Sequence, residues 1–167
     1  KQLRAAAQAA PLHVPPILSE IEACQKRYPD VAMVAVSDSA FHATMPSWSR
    51  EYSLAKKDRE KLDIHRFGYH GLSVESIVRK IHAVVGRDPE RMVVCHVGNG
   101  VSVTAVQDGK SIDTTMGYAP ASGLIMGSRA GEVDGTALLS LMRQRNMTVS
   151  PWIASESSGL HVTWTVR

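Results

Sequence analysis

The amino-acid sequence predicts an α/β fold whose best-defined part is a three-strand antiparallel meander. Between residues 91 and 114, three short apolar runs are joined by the turn sequences Gly98-Asn99-Gly100 and Asp108-Gly109. An Asp-Gly pair between two such runs is a strong signal for a β-hairpin. Upstream, apolar residues recur at helical spacing from Val74 to Val85. The chain therefore combines helices with an antiparallel sheet.

The first third of the chain predicts two helical segments and one further strand. Residues 1–10 are typical of the tail of a helix that Pro11 ends, because proline cannot continue the backbone hydrogen bonding. Apolar residues recur at helical spacing again over 17–28. Val31–Val36 is an unbroken apolar run between turn formers, which is typical of a strand buried on both faces. The polar stretch 37–49 predicts no regular element.

The remaining elements follow from charge, caps and periodicity. A charged segment over 50–61 predicts a solvated helix. Ser73 is a candidate N-cap of the next helix, and Gly86 stands where a C-cap glycine belongs. Apolar spacing then predicts strands over 92–97, 101–106 and 110–114, and an amphipathic helix over 132–145.

Composition excludes several classes of protein. The chain has 167 residues, 44% of them hydrophobic, and a formal charge of +3, so it is rich enough in apolar residues to fold and is not a strong nucleic-acid binder. No apolar run reaches the ~18–20 residues of a membrane helix. Cys24 and Cys95 lack metal-ligand spacing. Because Cys95 lies in an apolar run, we expect inert core thiols in a reducing compartment, the cytoplasm.

Three features near these elements are candidates for chemistry, and each has a plainer interpretation. The Gly98–Gly100 turn would direct backbone N–H groups at a phosphate, or it is a hairpin connection alone. Asp38 follows an apolar run, where a carboxylate is placed to bind Mg²⁺ or to take a proton, or it begins an Asx turn. His42 and His70 are candidate imidazoles, with surface or core histidines as the alternative.

Arg129 lies in the glycine-rich segment MGSRAGEVD. Its guanidinium is suited to bidentate binding of phosphate oxygens, and the alternative is a surface ion pair with Glu132 or Asp134. An aspartate, a histidine, an arginine and a bare glycine turn are together the parts that metal-assisted phosphoryl transfer requires.

Four ordered motifs give these residues a context. They are VAVSDSAFHATMP over 34–46, RFGYHG over 66–71, CHVGNGVSVTAVQDGKSIDTTMGYAP over 95–120, and GLIMGSRAGEVD over 123–134. In this order they resemble the acetate/propionate kinase family closely, over residues 10–141.

The resemblance implies a ribonuclease-H-like fold of the actin/Hsp70/sugar-kinase superfamily, in which two such domains flank a cleft. Residues 1–90 would be the C-terminal part of the first domain, 91–150 the start of the second, and 151–167 a divergent tail. The implied reaction moves a phosphoryl group from ATP to a short-chain carboxylate, acetate first and propionate second, with Mg²⁺. The resemblance also implies a homodimer in the full-length family, with no nucleic-acid or membrane partner. Because family chains are longer, we expect an incomplete fragment with little activity alone.

Matching the motifs residue by residue implies three groups of site residues. The catalytic residues would be Asp38, His70 and Arg129. The loop that touches the nucleotide phosphates would be His96, Val97, Gly98, Asn99 and Gly100. The apolar pocket for the acyl group would include Tyr69 and Pro120. No metal ligand is assigned with certainty, because the remaining family ligands lie outside this chain.

Two points stay open at this stage. Tyr69 stands where the family usually has Phe, so a preference for acetate, propionate or butyrate does not follow. The alternative to a kinase is a truncated, non-catalytic chain of the same fold that associates with a partner. The tail after Asn146, which departs from the family and contains Trp152 and Trp164, favours this alternative.

Overall fold

A three-strand antiparallel sheet, in the order β1-β2-β3, organises the part of the chain that the structure describes. The structure is a computed structural model and describes residues 14–146. The strands are β1 (Arg91–Val97), β2 (Val101–Gln107) and β3 (Lys110–Thr114). The helices are α1 (Val14–Arg27), α2 (Ser47–Arg50), α3 (Lys56–Leu62), α4 (Gly71–Val85) and α5 (Gly135–Gln144), with a 3₁₀ helix, η1, over Ala40–Thr44.

The predicted meander is confirmed, and its two turns differ. Asp108 and Gly109 both have positive φ, +49° and +72°, as the two-residue turn of a tightly twisted hairpin requires. The connection Gly98–Gly100 is a bend without a left-handed residue. The glycines are required there because neighbouring side chains pack closely against them, and not because the backbone adopts a left-handed conformation.

One face of the sheet carries the core. Val74 of α4 packs against Val94 and Val106, because α4 lies across this face and η1 covers β3 beside it. Partly buried apolar side chains complete the cluster: Phe41, Val78 and Met92. The buried residues of β2 are Ser102, Thr104 and Val106, so two of the three side chains facing α4 are small and polar.

The other face of β1 is uncovered among the described residues, and this corrects the interpretation of Cys95. Val93 and Val97 are 67% and 78% exposed, and Cys95 between them is exposed too. Successive side chains of a strand point to opposite faces. The apolar run of β1 is therefore buried on one side alone, and Cys95, like the exposed Cys24, is not a core thiol.

The prediction of a buried strand at Val31–Val36 is wrong for the described structure. The segment forms no helix or strand, and all six residues are exposed. A central strand needs neighbours on both edges and both faces, and the described residues offer no sheet beyond β1–β3.

Several predicted helix bounds also change. Gly86 ends α4 with φ +74°, as predicted, but the helix begins at Gly71 rather than after Ser73. Residues 37–49 hold η1 and the start of α2, and the predicted helix over 50–61 is in fact α3. The last helix starts at Gly135 because the Asp134 carboxylate accepts the N–H groups of Thr136 and Ala137.

Several sequence predictions concern residues that the structure does not describe. The predicted helix tail over 1–10, the tail over 151–167 and its two tryptophans lie outside the described residues. Within residues 14–146, no helix combines the length and the apolarity that crossing a bilayer requires.

Candidate functional site

Asp38 sits at the N-terminus of α4, although it lies more than thirty residues upstream. Its Oδ2 accepts the His70 N–H at 2.7 Å and its Oδ1 accepts the Leu72 N–H at 3.4 Å. Its own carbonyl accepts the Gly71 N–H at 2.8 Å. A carboxylate here satisfies N–H groups that a helix leaves unpaired and lies at the positive end of the helix dipole. The result is an exposed carboxylate next to His70.

His70 occupies an unusual backbone position, with φ +61° as the residue before α4. Its Nδ1 lies 3.0 Å from Ser102 Oγ, and its ring stacks on that of His96 with centroids 3.9 Å apart. Left-handed backbone at a non-glycine residue is uncommon and is held here by surrounding contacts. These contacts give the His70 ring a single orientation.

His96 mirrors this arrangement from β1. Its Nδ1 lies 3.0 Å from Ser73 Oγ, so each of the two stacked rings has a serine hydroxyl at Nδ1. The Nε2 atoms face the glycine bend: a Cβ at Gly100 would lie 2.9 Å from His70 Nε2, and one at Gly98 would lie 3.3 Å from His96 Nε2. The glycines are therefore needed because a side chain would enter the space beside the rings.

The surroundings of His70 favour the neutral form of its imidazole. Burial is the main factor that lowers the pKa of His70; the neighbouring His96, Arg129 and His42 lower it further, while Asp38 opposes them. A neutral imidazole has one donor nitrogen and one acceptor nitrogen. If the buried Ser102 hydroxyl donates to Nδ1, then Nε2 is the N–H donor and is directed at the glycine bend.

Arg129 approaches the same bend from the loop before α5. Its Nη1 would lie 3.4 Å from a Cβ at Gly100 and donates to the Pro120 carbonyl at 3.2 Å. The guanidinium is half-buried. Asp134, one of its candidate partners, uses its carboxylate to cap α5.

Tyr69 and Pro120 flank this cluster. The Tyr69 hydroxyl donates to the Tyr118 carbonyl at 2.9 Å, and burial is the main factor that raises the pKa of Tyr69 to about 12. Tyr69 precedes His70, and Pro120 holds Arg129 through its carbonyl. The two residues that the resemblance assigned to the acyl pocket therefore border the catalytic candidates on two sides.

His42 is a core histidine, which is the plainer of its two interpretations. It is 1% exposed, its Nε2 donates to the Tyr69 carbonyl at 3.0 Å, and its Nδ1 lies 2.9 Å from Ser111 Oγ. Burial lowers the pKa of His42. A Cβ at Gly68 would lie 2.6 Å from the His42 ring, so the loop before α4 packs directly on this ring. His42 therefore supports the backbone that carries His70.

The structure thus brings His70 and Arg129 together at the Gly98–Gly100 bend, with Asp38 bound to the backbone of His70. Asn99 of the bend and Val97 at the end of β1 are exposed, while Gly100 is buried. The Gly98 N–H donates to the Gly100 carbonyl at 3.0 Å. That N–H is consequently engaged inside the loop, contrary to the expectation that it points outward.

Sequence reasoning missed the serines that hold the two imidazoles. Ser102 alternates with valines in VSVTAV, a pattern that usually places polar residues toward solvent. Its burial could not be read from this spacing, because the face toward α4 is partly polar. The sequence predicts Ser73 as a helix cap, but its hydroxyl lies 3.0 Å from His96 Nδ1.

The described residues contain no cluster of three or more His, Cys, Asp or Glu side chains that could enclose a metal ion. Mg²⁺ is commonly held by one or two carboxylates together with substrate phosphates and water. Asp38 is an exposed carboxylate of that kind, because each of its oxygens has a further lone pair beside the N–H that it accepts.

The sequence as a whole is similar to known proteins. A family model described as the Acetokinase family matches residues 1–161. An acetate kinase of Heliobacterium modesticaldum is 43% identical over 148 residues, which are 87% of this chain and 37% of that protein. An acetate kinase of Clostridium acetobutylicum is 41% identical over 152 residues, 90% of this chain and 38% of the relative.

Solved structures of a propionate kinase and an acetate kinase are similar to this chain in fold. A propionate kinase from Francisella tularensis superposes with a TM-score of 0.84 at 38% identity, over 88% of this chain and 38% of that chain. The Porphyromonas gingivalis acetate kinase gives 0.80 at 34% identity, over 88% and 37%. The α/β fold class of the actin/Hsp70/sugar-kinase superfamily is confirmed, and the chain spans less than two fifths of the length of these relatives.

Proposed function

Because the chain belongs to the acetokinase family, as its four motifs predict, we propose that it carries the central part of an ATP-dependent carboxylate kinase. The substrate is a short-chain acid, acetate first and propionate second, and the products are an acyl phosphate and ADP. The observation that carries the proposal is that His70 and Arg129 meet at one glycine bend while Asp38 binds the backbone of His70.

The residues divide into two groups, which the described structure packs together through Val74, Val94 and Val106. Residues 1–90, the end of one ribonuclease-H-like domain, supply Asp38, Tyr69 and His70. Residues 91–150, the start of the second, supply the bend and Arg129. Residues 151–167 are assigned to neither group, as a divergent tail of the sequence.

In the proposed reaction, a carboxylate oxygen of the acid attacks the γ-phosphorus of ATP. A new O–P bond forms as the bond from phosphorus to the ADP oxygen breaks, and ADP leaves with those electrons. The acceptor acid is already ionised at neutral pH, so no base has to remove a proton. Positioning and charge stabilisation must therefore supply most of the catalysis.

His70 and Arg129 are suited to that task. The Arg129 guanidinium neutralises charge on the equatorial oxygens of the migrating phosphoryl group, and His70 Nε2–H donates to one of them. His96 and the Gly98–Gly100 bend would approach the nucleotide phosphates from the second group. Tyr69 and Pro120 would form the wall against the alkyl end of the acid.

Asp38 fits the part of a metal-bound carboxylate better than that of a base, because this acceptor has no proton to give. Mg²⁺, when bound, supplies charge neutralisation on the phosphate oxygens. Asp38 would hold it directly or through water, together with the phosphates. Its backbone contacts also keep His70 in place.

The test places this chain in the context of a full-length relative. The aligned segment of the Clostridium acetobutylicum acetate kinase is replaced by this sequence, and acyl phosphate is trapped with hydroxylamine from ATP and acetate or propionate. We expect turnover, with acetate preferred, and a loss of about 10²–10³-fold in kcat for Arg129→Ala. The control is Arg87→Ala, which removes an exposed arginine outside the site. A chimera whose rate is unchanged by Arg129→Ala contradicts the proposal.

A second candidate function, association without catalysis, is favoured by the exposed apolar side chains of Val34, Val36, Val93 and Val97. Such exposed surface marks contact with another chain, or with the parts of the relatives that this chain does not match. Homodimerisation is one form of this association. Titration of the 167-residue chain with Mg-ATP, followed by calorimetry, separates the two: a retained kinase site binds nucleotide weakly, and a pure scaffold does not bind it.

A further inference from the structure

The main-chain N–H and carbonyl of Tyr118, together called the Tyr118 peptide here, are each bound by a tyrosine hydroxyl. Its N–H donates to the hydroxyl oxygen of Tyr52 at 2.9 Å, and its carbonyl accepts the hydroxyl of Tyr69 at 2.9 Å. The two tyrosines come from different parts of the chain, one between α2 and α3 and the other just before α4. Both are half-buried.

The surrounding loop is built around these contacts. Gly117 has no room for a side chain, because a Cβ there would overlap the Tyr52 hydroxyl. The Gly117 N–H donates to Ser122 Oγ at 2.7 Å, and that hydroxyl donates to the Ala119 carbonyl at 2.9 Å. The Tyr118 peptide is thus one of the places where the loop is tied to the rest of the fold, next to the Gly117 carbonyl, which accepts the Phe67 N–H at 3.1 Å.

This loop leads directly to Arg129. Two residues after Tyr118, the Pro120 carbonyl accepts Nη1 of Arg129 at 3.2 Å, and the same Nη1 lies against the Gly100 bend beside His70. A shift of the Tyr118 peptide would therefore move the carbonyl that holds the guanidinium.

We propose that the hydroxyls of Tyr52 and Tyr69 form a clamp on the Tyr118 peptide that positions Arg129 next to His70. Both tyrosines are positioning residues, since they act through the Pro120 carbonyl. Phenylalanine would fill the same space, so the clamp depends on two hydroxyl oxygens rather than on ring packing. The catalytic use of Arg129 rests on the proposed function, but the clamp itself does not.

The test compares Tyr52→Phe, Tyr69→Phe and the double variant with Tyr28→Phe in the 167-residue chain. Tyr28 is 53% exposed and lies just after α1, so it is a matched control for the loss of one hydroxyl. Hydrogen exchange at the Tyr118 amide and the NMR shifts of the Arg129 guanidinium are measured. Neither measurement depends on activity.

Tyr69→Phe is the decisive variant, because Tyr69 does not contact the Tyr118 N–H itself. We expect exchange at that amide to accelerate about tenfold, the scale of one lost hydrogen bond, and the Arg129 signals to move, with Tyr28→Phe unchanged. An unaltered Tyr118 amide and unaltered Arg129 signals in Tyr69→Phe overturn the proposal.

In the chimera, the clamp variants should lower kcat several-fold while leaving the KM for ATP unchanged. A chimera without acyl-phosphate formation counts against the proposed function, and the exchange experiment still decides on the clamp. If kcat falls and the KM for ATP rises by the same factor while the Arg129 signals do not move, the two tyrosines have a general structural role. That result would overturn the clamp proposal.

Discussion

Replacing Gly100 by alanine tests the packing between the glycine bend and the catalytic candidates. The new Cβ would lie 2.9 Å from His70 Nε2 and 3.0 Å from Cε1. Ordinary contact begins at 3.4 Å, so the His70 ring must move by about 0.5 Å. Gly100 has no left-handed φ, so the substitution adds no backbone strain and the effect comes from this contact.

The expected cost follows from two opposing effects. Over-packing costs about 1–3 kcal/mol, and the lower entropy of the unfolded chain returns about 0.4–1 kcal/mol. The free energy of unfolding should therefore fall by about 1–2 kcal/mol. Since a misplacement of ~1 Å costs ~10²-fold in rate, a shift of about half that size should lower kcat at least about tenfold.

The assays are chemical denaturation and ring NMR of the isolated chain, and acyl-phosphate trapping in the chimera. Gly135→Ala is the control, because no atom lies within 4 Å of its Cβ position, and it should be neutral or slightly stabilising. Unchanged His70 and His96 ring signals together with unchanged turnover in Gly100→Ala would refute the reasoning.

Two further predictions concern the supports of His70. Asp38→Asn removes the charge and one of the two N–H acceptors at the start of α4 and should cost about 1–2 kcal/mol in unfolding free energy; a loss no larger than that of the exposed Asp30→Asn in urea denaturation would count against it. Because burial lowers the pKa of His42 in the fold, the unfolded chain binds the proton first, so stability is complete above about pH 6.5 and declines as the pH falls from there toward the folded pKa. His42→Gln should flatten the urea midpoint between about pH 7.5 and 5.5, and an unchanged slope would show that another group causes it.

The meander was predictable from sequence because its signals are local. Asp108-Gly109 is a two-residue turn whose conformation these residues adopt easily, and Gly86 ends its helix for the same reason. The start of α4 was not predictable in this way, since its cap, Asp38, comes from a distant segment.

Burial was the least predictable property. The apolar run Val31–Val36 indicates a strand covered on both faces, and the run of β1 indicates a core position for Cys95. The described residues cover one face of β1 and neither face of Val31–Val36. Burial depends on what the rest of a fold supplies, and the run of residues itself does not contain that information. Ser102 shows the converse: this polar residue is buried, and its hydroxyl forms a hydrogen bond with the His70 ring.

The site residues were identified by resemblance, and their grouping could not be derived from spacing alone. Asp38, His70 and Arg129 are separated by long stretches of chain, and the contacts that join them run through backbone N–H groups and Gly100. A glycine without positive φ carries no local signal of such an approach.

Nuclear Overhauser effects at Gly100 test the central claim, the convergence of the site, most directly. In the 167-residue chain, we expect contacts from the Gly100 α-protons to the His70 ring and to the Arg129 side chain, together with contacts between the His70 and His96 rings, whose centroids are 3.9 Å apart. A folded chain in which the Gly100 protons contact neither His70 nor Arg129 would contradict the account.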